Sequence, residues 1–188
     1  MPRQADPDLE GRILDAAQRL WKQGGAQSLT MRSVARRAKT NTPAVYRRFK
    51  NRNDILRGLL RRVQQEVSST IQPSASPEEA CERYLDFAVS HPHEYRLFYE
   101  HAHQLPRAAP STPLREHRPT MKVMEQKLAE RLGGQSSDHT RLSLALWAFT
   151  HGTAMILLTK SIPAEHAGEL RDVFRATVKK MVTSGRVD

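Results

Sequence analysis

No window of this 188-residue chain alternates apolar and polar side chains as a half-buried strand would require. Apolar residues instead recur at spacings of three and four from one end to the other, the signature of helices with one buried face. That single pattern restricts the chain to an all-α fold. Cap and breaker residues then divide it. Asp6-Pro7 reads as a helix start, and Ile13, Leu14, Ala17, Leu20 and Trp21 form its apolar stripe. Gly24-Gly25 ends it. Thr30 caps a short second helix through Ala38, and Lys39-Thr40-Asn41 forms a tight break. Asn41 or Thr42 caps a third helix that carries Pro43 near its start and runs through Phe49. Asn51 with Asp54 resembles a capping box opening a longer helix with Ile55, Leu56, Leu59, Leu60, Val63 and Val67 inward.

Pro73-Ser74-Ala75-Ser76-Pro77 is turn-rich and marks the expected boundary between residues 1–72 and 73–188. Beyond it, Ser76-Pro77-Glu78-Glu79 opens a helix that stops before His91-Pro92. Another runs from about His93 to Gln104. Pro106 to Pro113 reads as a loop, and Pro119 either starts or kinks a helix to Leu132, closed by Gly133-Gly134. Ser137 to Lys160 is the longest apolar pattern, and a last helix follows Ile162-Pro163 to Ser184. The expectation is an all-α chain of roughly nine helices.

Charge separates the two halves more sharply than pattern does. The formal net charge is +10. Residues Met1 to Gln72 hold 15 Lys and Arg against 6 Asp and Glu, while the rest holds 15 against 14. A basic module of this kind expects a polyanion, nucleic acid or an anionic membrane surface. One cysteine, Cys81, excludes a disulfide scaffold and a thiolate zinc site. No apolar stretch is read as reaching the ~18 residues of a membrane span, and no apolar leader marks the N-terminus for export. The expected location is the cytoplasm.

Two short helices joined by a short turn cannot bury a core alone, so the first helix must pack across them, as in a helix-turn-helix bundle. The third helix is then available to the major groove. Its Thr42, Tyr46, Arg47 and Arg48 crowd one short element, and such like charges repel unless a polyanion is near.

Three runs carry a resemblance: Ile13-Leu14-Asp15-Ala16-Ala17, Leu29-Thr30-Met31-Arg32-Ser33-Val34-Ala35, and Thr42-Pro43-Ala44-Val45-Tyr46-Arg47-Arg48-Phe49-Lys50-Asn51. Over about Gly11 to Leu60 they resemble the DNA-binding domain of TetR-type transcriptional regulators. The resemblance implies a homodimeric repressor of a palindromic operator, with a helical C-terminal domain that binds a small molecule and dimerises. It departs at Lys39, where the family usually has glycine in the turn. By position, the resemblance implies that Thr30 and Arg32 contact phosphates and that Thr42, Pro43 and Ala44 face base edges. Tyr46, Arg47 and Arg48 fall on the DNA-facing helix, with Arg47 open between base and backbone. Arg52 would clamp a phosphate.

In the second half, Trp147, His151 and Gly152, with His91-Pro92 and Tyr95-Arg96-Leu97-Phe98, resemble the C-terminal domain type of TetR relatives marked by Trp, His and Gly. Trp147 and His151 share one helix face. They either line a ligand pocket, with Met155, Phe98, Phe87 and Met124 as further candidates, or pack as core. Tyr84, Tyr99 and Met121 are weaker candidates. The near-neutral half suits a small apolar or aromatic effector. His91, His93, His101 and His103 cluster in sequence without a metal-binding spacing, so neither metal nor cofactor is expected. Cys81 reads as a buried, inert thiol.

The favoured reading is an effector-released DNA-binding regulator. A constitutive or architectural DNA binder is the alternative, and a helical-bundle enzyme comes last because no histidine is paired with a nucleophile. Leu142, Leu146, Phe149, Ile156, Leu157, Val173, Phe174 and Val178, on the last two helices, are expected to face a second copy.

Overall fold

The computed structural model describes residues 8–101 and 119–185. Among them are nine α-helices and no strand. They are α1 (Leu9–Ser28), α2 (Met31–Arg37), α3 (Thr42–Arg48), α4 (Arg52–Ile71), α5 (Pro77–Ser90), α6 (Pro92–His101), α7 (Pro119–Leu132), α8 (Thr140–Thr159) and α9 (Ala167–Ser184). Short 3-10 turns at Ser136–His139 and Ala164–His166 precede α8 and α9. The expected Asp6-Pro7 helix start, the Pro106 to Pro113 loop and His103 lie outside the described residues.

Two compact units form: Met1–Val63 with Leu97–Leu105, and Gln64–Arg96 with Pro106–Asp188. The division falls inside α4, where an unbroken helical pattern carries no compositional mark, rather than at the proline-serine turn.

In the first unit, α1 is interrupted where sequence placed its end. Gly24 leaves helical geometry, and Gly25 sits at φ 57, ψ −148, a backbone region open to glycine. Ser28 bridges the break, its hydroxyl in reach of the carbonyls of Leu20 (2.6 Å) and Gly25 (2.9 Å). Ile13, Ala17, Val34, Val45, Phe49, Ile55 and Leu60 bury the unit's core. At Gly58 an added Cβ would lie 2.8 Å from Leu14 Cδ2 and 3.3 Å from a Phe49 ring carbon, so a side chain there would force Leu14 to shift and the Phe49 ring to give way.

In the second unit, α5, α7 and α9 pack on α8. Its core holds Leu85, Tyr95, Met121, Leu128, Leu142, Leu146, Phe174 and Val178. Phe149 stacks on Phe174, with centroids 5.7 Å apart. Four residues expected to face a second copy, Leu142, Leu146, Phe174 and Val178, are therefore spent inside the protomer. Leu144 (38% exposed) and Val173 (52%) remain on its surface.

No apolar stretch was expected to reach span length, yet Ser136–Thr159 contains an 18-residue window of mean hydropathy 1.5, long and apolar enough by length and composition alone. Its apolar run is interrupted by Ser143, Thr150 and Thr153, all buried against the unit. This is the helix on which α5, α7 and α9 pack, with a third of the apolar window buried.

Candidate functional site

The α2–α3 segment is built from local hydrogen bonds. Thr30 and Ser33 cap α2 reciprocally: the Thr30 hydroxyl accepts from Ser33 N–H (3.1 Å), and the Ser33 hydroxyl accepts from Thr30 N–H (3.0 Å). Thr30 is thus the N-cap of α2, with Arg32 exposed at the same end. At the far end, Thr40 N–H donates to Ala35 O (3.0 Å) and Lys39 N–H to Arg36 O (3.3 Å), with Lys39 at φ 54. These two bonds form a Schellman C-cap with lysine in the left-handed position that usually takes glycine. The turn keeps its geometry despite the departure at residue 39.

Asn41 then caps α3, its Oδ1 accepting from Ala44 N–H at 2.8 Å, with Pro43 in the first turn. Ala44, Val45 and Phe49 point inward. Thr42 is half-buried, and Pro43, Tyr46 (53%), Arg47 and Arg48 are exposed on the opposite side. Ala44 is a correction to the expected base-facing set: at 3% exposure its methyl belongs to the core.

The Arg47 side chain has neither an ion pair nor a hydrogen bond among the described residues, and the same holds for the side chains of Arg32, Arg36 and Arg37. No carboxylate occurs between Asp15 and Asp54, a stretch holding ten Lys and Arg. Little in the chain itself offsets this positive field. Arg52 differs, because its guanidinium donates to Ala26 O at 2.5 Å and ties the start of α4 to the last turn of α1. Asn51 caps α4 through Asp54 N–H (3.0 Å), but the Asp54 carboxylate accepts from Lys50 N–H (3.0 Å) rather than closing the box on Asn51. That bond, aided by Arg57, holds the Asp54 carboxyl below its ordinary pKa.

A second candidate site lies wholly within the second unit, a cavity of about 30 Å³. It is lined by Ile71 of α4 and by Ala80, Cys81 and Tyr84 of α5. Thr120, Met121 and Met124 of α7 and Ser143, Trp147 and Thr150 of α8 complete the wall. The space suffices for one or two waters, so a larger occupant must displace side chains. Of the candidate ligand residues, Trp147, Met124, Tyr84 and Met121 line the cavity. His151 does not line it. Its Nδ1 shares a 2.7 Å hydrogen bond with the Tyr95 hydroxyl, and its ring stacks on Trp147 at 5.8 Å and 7°.

Phe87 and Met155 lie outside the lining. Phe87 is buried against His91 (4.6 Å), and Met155 is half-buried. Phe98 packs edge-on to Tyr99 and belongs to the first unit. Helical spacing cannot show which way these side chains face. Burial pushes the Cys81 thiol up to about 12, against the opposing hydrogen bond of Thr150, which keeps it protonated and unreactive. Ser143, Thr150 and Cys81 escaped the sequence reading as wall residues. The available signal was two hydroxyls flanking Trp147 in an otherwise apolar helix. Among the described residues no three His, Cys, Asp or Glu side chains converge as a metal site.

Residues 13–59 match the family described as "Bacterial regulatory proteins, tetR family". Residues 78–181, more than half the chain, match "Tetracyclin repressor-like, C-terminal domain". The chain belongs to the TetR family. It is accordingly a DNA-binding transcription regulator and not an enzyme. Trp147, His151 and Gly152 fall inside the C-terminal match. Solved TetR-family structures share the fold at low identity. A TetR-family transcriptional regulator from Streptomyces coelicolor is 17% identical, with TM-score 0.66 over 95% of this chain and 99% of that one. A single-substitution variant of TetR from Acinetobacter baumannii AYE, in complex with minocycline, is 19% identical, with TM-score 0.62 over 96% of each chain. The multidrug binding protein EbrR, complexed with imidazole, is 21% identical, with TM-score 0.65 over 96% of this chain and 93% of that one. No curated protein matches the sequence.

Proposed function

We propose that this TetR-family regulator is a homodimeric repressor that leaves a palindromic operator when a small apolar or aromatic molecule occupies the cavity beside Trp147. The observation that carries the DNA half of this reading is the division of α3. Ala44, Val45 and Phe49 anchor it, while Pro43, Tyr46 and the unpartnered Arg47 face outward. In the proposed contact set, α2 contributes Thr30 and Arg32, α3 contributes Thr42, Pro43, Tyr46, Arg47 and Arg48, and Arg52 adds a phosphate contact. Ala44 drops out.

The cavity supports the effector half, as do the minocycline and imidazole complexes of proteins sharing the fold. An occupant weakens operator binding only insofar as it prefers the conformation that does not bind DNA. Exposed Leu144 and Val173 on α8 and α9, with half-buried Phe149, Ile156 and Leu157, support pairing through these helices. Such a dimer reads two half-sites about 34–36 Å apart, or a multiple of that. A regulator of chromosomal DNA works in the cytoplasm, and the resemblance to the Trp-His-Gly type is part of the proposal.

The test is a mobility-shift assay on DNA upstream of the coding region, with light scattering of the free protein. A sequence-selective complex of two chains supports the reading. A monomer at micromolar concentration, or equal affinity for all sequences, overturns it.

A further inference from the structure

Three threonines of α8 satisfy their hydroxyls on the helix's own carbonyls: Thr150 on Leu146 O (2.7 Å), Thr153 on Phe149 O (3.0 Å) and Thr159 on Met155 O (2.7 Å). Ser143, on the same helix, does not. Its side chain is fully buried, and its Oγ has no hydrogen-bond partner among the described residues. Buried hydroxyls are nearly always paired, because one left unpaired loses water's hydrogen bonds without replacement. Two other buried serine hydroxyls, on Ser68 and Ser74, also lack partners, but neither lines the cavity. Ser143 does, one turn before Trp147.

The rest of the wall narrows what could meet that hydroxyl. Among the described residues no Asp, Glu, Lys, Arg or His lines the cavity, so a charged occupant would be desolvated without a counter-charge from them. The Thr150 hydroxyl already donates to Leu146 O, and the His151 Nδ1 is engaged by Tyr95. Met121 and Met124, each with several rotatable bonds, form the part of the wall that can yield. We infer that Ser143 is the polar anchor of the cavity, hydrogen-bonding an uncharged, largely apolar effector that carries a hydroxyl, carbonyl or ring nitrogen against the indole of Trp147. This rests on the proposed effector reading and adds to it the neutrality of the ligand and the residue that selects its polar group.

The chain has two tryptophans, so Trp21→Phe leaves Trp147 as the only indole, a fluorescence reporter on the cavity wall. Phenol and toluene, alike except for hydroxyl against methyl, are titrated against this protein and against the same protein with Ser143→Ala. The expected result is that both probes perturb Trp147 and that Ser143→Ala lowers the phenol-to-toluene affinity ratio about tenfold, chiefly by weakening phenol. The unliganded melting temperature should not fall, because the variant removes an unpaired hydroxyl rather than a bond. An unchanged ratio overturns the anchor while leaving the effector reading standing. If neither probe perturbs Trp147, the inference also fails, and the cavity loses its support as an effector site. DNA binding by the same preparation reports separately on the regulator itself.

Discussion

The hydroxyl of Tyr95 on α6 and Nδ1 of His151 on α8 lie 2.7 Å apart, and His151 in turn stacks face to face on Trp147. The buried phenol thus fixes the imidazole, and the imidazole backs the indole that forms part of the cavity wall. His151 is a positioning residue in this arrangement. Tyr95→Phe removes the bond and keeps the ring. It should lower stability by about 1 kcal/mol, the net worth of one hydrogen bond to a half-buried partner. Chemical denaturation measures this, and a double-mutant cycle with His151→Phe should show coupling between the two sites.

Arg47 and Arg52 should separate by stability as well as by DNA binding. The Arg47 side chain has no partner among the described residues, so Arg47→Ala should leave the melting temperature unchanged while weakening operator binding. The loss is about 1–3 kcal/mol with relaxed preference at one base pair if it reads a base. If it meets a phosphate, the loss is uniform across sequences. Arg52→Ala should lower the salt slope of DNA binding by about one unit and also cost some stability, because Ala26 O keeps the Leu29 N–H but loses the guanidinium donor. Salt-dependent binding isotherms and melting curves for both variants check this.

Lys39 occupies a left-handed backbone position, φ 54, that strains any residue with a Cβ. Lys39→Gly should stabilise the first unit by up to about 1 kcal/mol, the relief partly offset by the glycine's greater freedom when unfolded. Lys39→Val, β-branched at the same φ, should destabilise it. Denaturation midpoints of the two variants should move in opposite directions.

Asp54 should contribute to the acid limb of the stability curve. Its folded pKa is held below the ordinary 3.8 by Lys50 N–H, with help from Arg57. A depressed carboxyl contributes stability that is complete above the unfolded pKa and disappears as pH falls through the folded one. Asp54→Asn should therefore lower stability at neutral pH and flatten its decline below about pH 4. A urea-denaturation series across that range measures it.

What could be read from sequence was local. Thr30, Asn41 and Ser76 cap the helices assigned to them because a cap depends on residues three positions apart. The capping box at Asn51 was half right, since the shorter reach of Asp54 is satisfied by the preceding Lys50 N–H. The family resemblance puts Ala44 on the DNA side because matching a motif assigns positions without assigning faces. The inward run of Val45 and Phe49 carries Ala44 with it. The cavity was legible only in part. Trp147 and Met124 stand out as large side chains on patterned helices, whereas Ile71, Cys81 and Ser143 meet only through packing of segments far apart in the chain. The Tyr95–His151 bond spans 56 residues, and no spacing rule connects them.

The central claim is that α3 reads DNA through its exposed side while an occupant of the cavity controls that reading. Fluorescence anisotropy on labelled upstream DNA, at fixed salt and with increasing phenol, tests both halves at once. The account predicts sequence-selective binding that Arg47→Ala weakens and that phenol lowers in the intact protein but much less after Ser143→Ala. Binding that is equally tight to unrelated DNA, or indifferent to phenol at concentrations that perturb Trp147, would contradict it.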